Sequence, residues 1–238
     1  MDKKILVIVA ARGGSKGVKN KNIKDLCGKP LIAHTLTQAK QWGKATRLIC
    51  STDSQAIADV ASQYGADIPF VRPGEMATDT AGKMDVLRHA LKECEAIYGE
   101  RYDIVIDLDV TAPVRRAEDI EGAFETFCRQ HPDAVVSVVP ARKSPYFNML
   151  EEMPDGSIRL SKMPDRPILR RQDAPKVYDM NASIYVYDRN YILNQATRTG
   201  IQGRTLIWVM DELSAFDIDT EKDFIFVEYL VSKGLVTL

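Results

Sequence analysis

Residues 4–22, KILVIVAARGGSKGVKNKN, constrain the fold more than any other stretch of the chain. They open with an unbroken apolar run at 5–11, short, rich in β-branched residues and ended by glycine. Such a run reads as a strand buried on both faces. It breaks into Arg12-Gly13-Gly14-Ser15-Lys16-Gly17, and Lys19, Lys21 and Asn22 follow. Glycines let the backbone bend so that successive N–H groups can point at one anion. Arg12, Lys16, Lys19 and Lys21 supply matching charge, arginine as a two-pronged donor and lysine as a point charge. The stretch is a candidate polyphosphate cradle; the competing reading is a surface loop with solvated lysines. Two better-known phosphate loops do not fit. No Gly-Lys-Ser/Thr occurs, and Gly13-Gly14-Ser15-Lys16-Gly17 has the wrong spacing for G-x-G-x-x-G.

The chain then alternates between periodicities. Residues 31–42 carry helical spacing with Gly43 as a stop, and 47–50 reads as a second strand. Ser51-Thr52-Asp53-Ser54 is a capped helix start, and that helix runs to Tyr64 with Gly65 at its end. Residues 67–71 read as a short third strand, 84–98 as a long helix and 102–110 as a fourth strand. A helix at 118–128 and a fifth strand at 134–139 follow. Strand–helix alternation predicts parallel α/β layering with sites at the carboxyl ends of the strands. The rhythm fails at 140–179, which holds six of the chain's eleven prolines. We read 140–179 as an inserted arm with short hairpin strands at 146–151 and 157–160. Residues 1–139 and 180–238 then form the α/β domain, with a late strand at 204–209 and a C-terminal helix to Lys233.

Bulk properties exclude several classes. A formal net charge of −1 gives no attraction to nucleic acid or to membranes over the whole surface. No apolar run reaches membrane-spanning length, and the start lacks a signal-peptide layout. Cys27, Cys50, Cys94 and Cys128 are scattered without a CxxC pair, which suits reduced thiols better than a disulfide frame or a zinc site. His34, His89 and His131 fall in unrelated contexts. A cytoplasmic protein is the expectation.

Two acidic pairs stand out. Asp107 and Asp109 share one face of the fourth strand, and carboxylates leaving a buried strand are costly unless paired, hydrated or on a cation. Asp217 and Asp219 alternate out of an extended segment just before Thr220, which can cap the last helix, with Glu221 and Asp223 in its first turn. Capping accounts for the later acids and leaves Asp217 unexplained.

AARGGSKG, then KNKNIK and Cys27-Gly28-Lys29-Pro30, together with the FDIDTEKDF element at 216–224, resemble the CMP-sialic acid synthetases, the acylneuraminate cytidylyltransferases, over most of the chain. The VIDLD, ARKSPYFNM and YDMNASIYV segments are most similar to the legionaminic acid branch of that family. The resemblance implies a Rossmann-like, GT-A-like nucleotidyltransferase fold of three layers with a mostly parallel sheet, and a dimer built through 140–179. It implies that CTP activates an acidic nine-carbon sugar with Mg²⁺. Asp217 and Asp219 would hold the metal and, with Arg12 and Lys21, form the catalytic set. Ala11, Arg12, Gly13, Gly14, Ser15, Lys16, Lys21, Asn22, Arg72, Thr80, Ala81 and Gly82 would bind the nucleotide. Asp109, Arg171, Asp179, Asn181 and Tyr185 would face the sugar.

The departures concern the sugar end. The family usually has glutamine where this chain has Asp109, often serine at Gly82, an arginine where Asp179 stands, and Gly-Ala at Ala182-Ser183. Ionised carboxylates accept hydrogen bonds and cannot donate them, so Asp109 and Asp179 suit N–H donors on the sugar's tail. Two other readings compete. One is a GT-A-type glycosyltransferase using Asp107-Leu108-Asp109 as a metal-binding D-x-D. The other is a non-catalytic nucleotide-binding subunit. A Kdo cytidylyltransferase is closer in chemistry, but its usual opening is not matched.

Overall fold

The computed structural model of the protein describes residues 3–15, 17–78 and 80–238. Six strands form the main sheet: β1 (Ile5–Ala10), β4 (Arg47–Ser51), β5 (Ile104–Leu108), β6 (Ala134–Pro140), β9 (Tyr178–Asp188) and β10 (Thr205–Val209). Their spatial order is β10-β6-β9-β5-β1-β4. β1 pairs parallel with β4 and β5, and β10 parallel with β6. β9 runs antiparallel between β5 and β6. The expected mostly parallel sheet is present.

Successive side chains of a strand point to opposite faces, and β1 shows what covers each. Ile5, Val7 and Val9 join a core with residues of α1 (Leu31–Trp42), α2 (Gln55–Gln63), α4 (Ala117–Gln130) and α6 (Glu221–Ser232). Leu6 and Ile8 join a second core with Met84, Leu87, Ala90 and Leu91 of α3 (Lys83–Tyr98) and Ile192 of α5 (Arg189–Leu193). Helices on both faces make the three-layer sandwich. β1 therefore needs apolar side chains at every position, which is why its run is unbroken.

Three differences from the sequence reading have physical reasons. The strand expected at 67–71 reduces to one parallel bridge between Ile49 and Asp67. Pro69 has no N–H to continue a ladder. β9 carries no strand signal in the sequence, because its eleven residues, YDMNASIYVYD, mix polar and apolar types without a clean period. Its register against β6 slips between Val136 and Val138, where Ala182 takes a left-handed φ of 52°. Ser137 spans that irregularity, donating to Asn181 Oδ1 at 2.7 Å and accepting from the Ile184 N–H at 2.8 Å. Finally, the two hairpin strands fall at β7 (Leu150–Glu152) and β8 (Ile158–Leu160), paired antiparallel with each other. Pro140 closes β6 and Tyr178 opens β9, so Asp179 belongs to the sheet.

A small hairpin, β2 (Asp25–Leu26) and β3 (Lys29–Pro30), follows the basic loop. Its two-residue turn puts Cys27 at φ 53° and Gly28 at φ 86°, the conformation that type I′ hairpin turns demand.

Candidate active site

A cleft of about 460 Å³ opens beyond the carboxyl ends of β1, β4 and β5, lined in part by Arg12, Ser15, Lys21, Asn22, Arg72, Ala81, Asp109 and Asp219. All eight come from the sequence-stretches expected to bind nucleotide, sugar or metal, and the parallel sheet brings them to one place. Lys16 and Asp79 lie outside the described residues.

The basic loop is shaped by contacts within the protein. The Ala11 N–H donates to Ser51 O at 3.0 Å, the Gly13 N–H to Asp53 Oδ1 at 2.9 Å and the Ser15 N–H to Gly13 O at 3.2 Å. These amides are committed inside the protein, so positive charge in the cleft comes chiefly from side chains. Asn22 is buried and donates through Nδ2 to the Arg12 carbonyl at 2.9 Å, which fixes the backbone at Arg12. Arg72 is buried with its Nε 3.1 Å from Ser51 Oγ and a second bond to the Ser51 carbonyl. Burial pulls its guanidinium below the ordinary range, against the opposing pull of Asp53.

The acidic segment comes from the other end of the chain. Ile218 is fully buried; its N–H donates to Thr111 O at 2.8 Å, and its carbonyl accepts from Lys21 Nζ at 2.8 Å. With Ile218 anchored inward, the alternation of an extended segment turns Asp217 and Asp219 outward together. Lys21 Nζ also meets Asp219 Oδ1 at 2.9 Å, with the lysine side chain 13% exposed and the aspartate 72%. Lys24 pairs with Glu221 and lies 4.6 Å from the Phe224 ring centre. Gly17 packs on the Asp219 backbone, where an added Cβ would stand 2.1 Å from the carbonyl oxygen. Thr220 and Asp223 form the capping box of α6. The Asp217 carboxyl is held above its usual range by withdrawal from water and by Asp219 and Asp109 nearby, against a hydrogen bond from Thr111.

Two residues that the sequence reading did not single out complete the floor. Lys83, first in α3, places Nζ 2.8 Å from Asp107 Oδ2 and 3.0 Å from Asp109 Oδ2. Burial alone would depress this ammonium, but the two carboxylates outweigh it and hold it well above the ordinary lysine range. Asp107 is raised, chiefly by burial. Asp109 is lowered, because Lys83 and the hydrogen bonds from Thr111 overcome its burial. Arg115 is buried among acceptors: Gln38 Oε1 at 3.1 Å, Ser183 O at 2.6 Å, Thr35 Oγ1 at 2.8 Å and Asp109 O at 3.1 Å. Desolvation brings it down to about 10. It locks the backbone of the β5 exit to β9. Sequence alone offered no signal for either role beyond the presence of a cation, since both partners are set by strand pairing.

The remaining candidates are dispersed. Gly82 is the N-cap of α3, and Thr80 and Gly82 line an adjoining pocket with Ala81. Gly14 is exposed in the loop. Tyr185 sits opposite Asp107 in the β5–β9 ladder with its ring centre 5.9 Å from Lys83 Nζ. Asn181 is buried, and its amide is taken up by Ser137, Met210 and Ser214. Asp179 is exposed on β9 beside Val139. Arg171 donates to the Ala141 carbonyl at 2.7 Å and lines a separate pocket with Lys143 and Lys176. Among the described residues no cluster of three or more His, Cys, Asp or Glu side chains could hold a metal by itself, and no helix is long and apolar enough to cross a membrane.

Comparison with known proteins identifies the framework. A sequence model described as cytidylyltransferase matches residues 6–229. The post-translational flagellin modification protein B of Campylobacter coli is 44% identical over 229 residues, covering 96% of this chain and 95% of that protein. The CMP-N,N'-diacetyllegionaminic acid synthase of Campylobacter jejuni is 42% identical over 228 residues, with 96% and 95% covered. Among solved structures, a CMP:2-keto-3-deoxy-manno-octonic acid synthetase complexed with CTP superposes with a TM-score of 0.70 over 97% of this chain and 99% of the other. At 18% identity that likeness concerns the fold.

Proposed function

This chain belongs to the cytidylyltransferase family, on the legionaminic acid branch of the CMP-sialic acid synthetases, and we propose that it joins a nine-carbon 2-keto acid of the legionaminic type to CMP, releasing pyrophosphate from CTP. The anomeric hydroxyl of the acid attacks the α-phosphorus, and the bond to the pyrophosphate oxygen breaks. In such transfers the protein positions the reactants and neutralises charge. The observation that carries the reading is the convergence of Arg12, Lys21, Asn22 and Arg72 with Asp109 and Asp219 on one cleft at the strand ends.

Arg12 and Lys21 answer the charge on the α-phosphate and the leaving pyrophosphate. Arg72 and the turn at 80–82 serve the nucleoside. Asp109 and Tyr185 serve the sugar. Asp217 and Asp219 fit a divalent cation as a partial oxygen shell. They emerge side by side from the segment anchored by Ile218. Mg²⁺ keeps several waters and takes phosphate oxygens readily, so two carboxylates suffice for it. When bound, the cation would offset phosphate charge and lower the pKa of a coordinated hydroxyl.

The exposed apolar side chains of the 140–179 arm, among them Leu150, Ile158, Met163 and Leu169, support a dimer formed through it. Arg171 lies away from this chain's own cleft, which suits service to a partner's sugar site. The glycosyltransferase alternative is disfavoured because Asp107 is fully buried and both carboxylates of the D-x-D are engaged by Lys83.

Incubation with CTP, Mg²⁺ and a diacetylated legionaminic acid, followed by ³¹P NMR, is expected to show free pyrophosphate and a new phosphodiester resonance in equal amounts. Hydrolysis of CTP without a phosphodiester product would overturn the reading.

A further inference from the structure

Asp107 is the penultimate residue of a strand whose other residues are all apolar and buried, and it is 0% exposed itself. Apart from one ammonium, neither of its carboxylate oxygens has a polar partner among the described residues. Its partner is the Lys83 ammonium at 2.8 Å. A charge so placed costs several kcal/mol to desolvate unless it is compensated. Lys83 is therefore held at the cleft floor from behind. From the front, it meets Asp109 Oδ2 at 3.0 Å, while its side chain remains 39% exposed to the cleft.

Asp109 is fixed just as closely. Its Oδ1 accepts from the Thr111 N–H at 3.2 Å and from Thr111 Oγ1 at 3.0 Å. Its backbone oxygen accepts from Arg115 and Thr35. A carboxylate has about four lone-pair sites. Two on Oδ1 serve Thr111 and one on Oδ2 serves Lys83. The remaining site on Oδ2 belongs to a side chain that lines the cleft and is 24% exposed. The group is thus pinned in one orientation with one acceptor position open among the described residues.

We propose that Lys83 is a positioning residue that holds Asp109 as a negatively charged acceptor with one open lone pair, aimed at an N–H or O–H donor of the acid sugar, and that Asp107 is the buried counter-charge keeping Lys83 in place. The proposal rests on the assignment of Asp109 to the sugar in the cytidylyltransferase reading. The charged and titratable groups facing Asp109 are Lys83 from α3, Asp107 from β5, Arg115 from the segment after β5, and Tyr185 and Asp217 from the elements packed on either side. Among them Lys83 is the cation in direct contact with the carboxylate. Without it, burial dominates and Asp109 takes up a proton at higher pH.

Replacing Lys83 alone strands Asp107, so the test uses Lys83→Met together with Asp107→Leu, which removes the buried carboxylate and its counter-charge together. Steady-state kinetics of pyrophosphate release are measured against pH in the wild type, in this double variant, in Lys83→Arg and in Asp109→Asn. Thermal melts and calorimetric CTP binding verify each fold. The double variant is expected to raise the KM for the sugar about tenfold or more at pH 7. Its CTP dissociation constant should stay within about twofold of the wild type, and the acid limb of kcat/KM for the sugar should move to higher pH. Lys83→Arg, which keeps the charge, should keep the wild-type acid limb. In an Asp109→Asn background, removing Lys83 and Asp107 should have no further effect on the sugar KM, because the coupling runs through Asp109. An unmoved sugar KM and pH profile, or an equal effect in the Asp109→Asn background, would overturn the role of Lys83 alone. Wild-type protein that releases no pyrophosphate with any nine-carbon acid would overturn the reading beneath it.

Discussion

Gly17 lies directly against the backbone carbonyl of Asp219, so close that a Cβ at position 17 would stand 2.1 Å from that oxygen. The basic loop after β1 and the acidic segment before α6, some two hundred residues apart in sequence, meet backbone to backbone. This contact sets the distance between the cations of the loop and the carboxylates that face them. Gly17→Ala must push the two segments apart. Misplacing reacting groups by about 1 Å costs on the order of a hundredfold. We expect kcat/KM to fall by about that factor while far-UV circular dichroism stays native. An alanine variant with wild-type turnover would show that the contact does not position the site.

Lys21 joins the same two segments through Ile218 O and Asp219 Oδ1. Lys21→Met keeps the length of the side chain and removes the charge. Loss of a preorganised charged donor is worth about 10²–10³ in kcat. Steady-state pyrophosphate release should show that loss, and a fall of less than threefold would remove Lys21 from the catalytic set.

Ala182 sits at φ 52°, in the register slip of β9. A left-handed conformation costs a non-glycine residue about 1–2 kcal/mol, against about 0.5–1 kcal/mol of extra chain entropy for glycine. Ala182→Gly should therefore stabilise the protein slightly, raising the melting temperature by about 2 °C. A drop in melting temperature would show that the alanine methyl contributes more in packing than it costs in strain.

Glu95 and Arg189 form a two-pronged pair at 2.7 and 2.8 Å. The hydrogen bonds from Arg189, against partial burial, lower the Glu95 carboxyl below its ordinary value of 4.5. A carboxyl lowered in the folded state contributes stability that is complete above the unfolded value and is lost as pH falls through the folded one. The gap in melting temperature between wild type and Glu95→Gln should be widest near pH 7 and close steadily below about pH 4.5. A gap unchanged down to pH 3 would assign the pair no charge-dependent role.

The parts of the molecule that could be read from sequence are those specified locally. The β1 run, the glycine loop and the Asp217–Asp219 alternation each carry their meaning within a dozen residues. The central antiparallel strand could not be read this way. Asn181 and Ser183 are buried in β9 only because Ser137 and Arg115 reach them from other elements. Lys83 is one cation among many until β5 places two carboxylates beside it. Likewise, the glycine-rich loop suggests an amide cradle, yet Ser51 and Asp53 take up two of its N–H groups, from a strand end that no local pattern connects to it.

Removal of divalent cations tests the metal reading. Excess EDTA should abolish turnover and leave the melting temperature nearly unchanged, because Asp217 and Asp219 are exposed, outside the core. Mg²⁺ should restore activity to the wild type and not to Asp219→Ala. Full activity in EDTA would sink the assignment of Asp217 and Asp219.

The most direct measurement of the central claim is the rate of pyrophosphate release from CTP and Mg²⁺, with legionaminic, sialic, pseudaminic and Kdo-type acids compared in parallel on the same preparation. The account predicts the highest kcat/KM with a legionaminic acid derivative and loss of that activity in Asp219→Ala. Clear preference for sialic acid would contradict the sugar assignment, and silence with all four acids, in protein that is folded and binds CTP, would contradict the reaction itself.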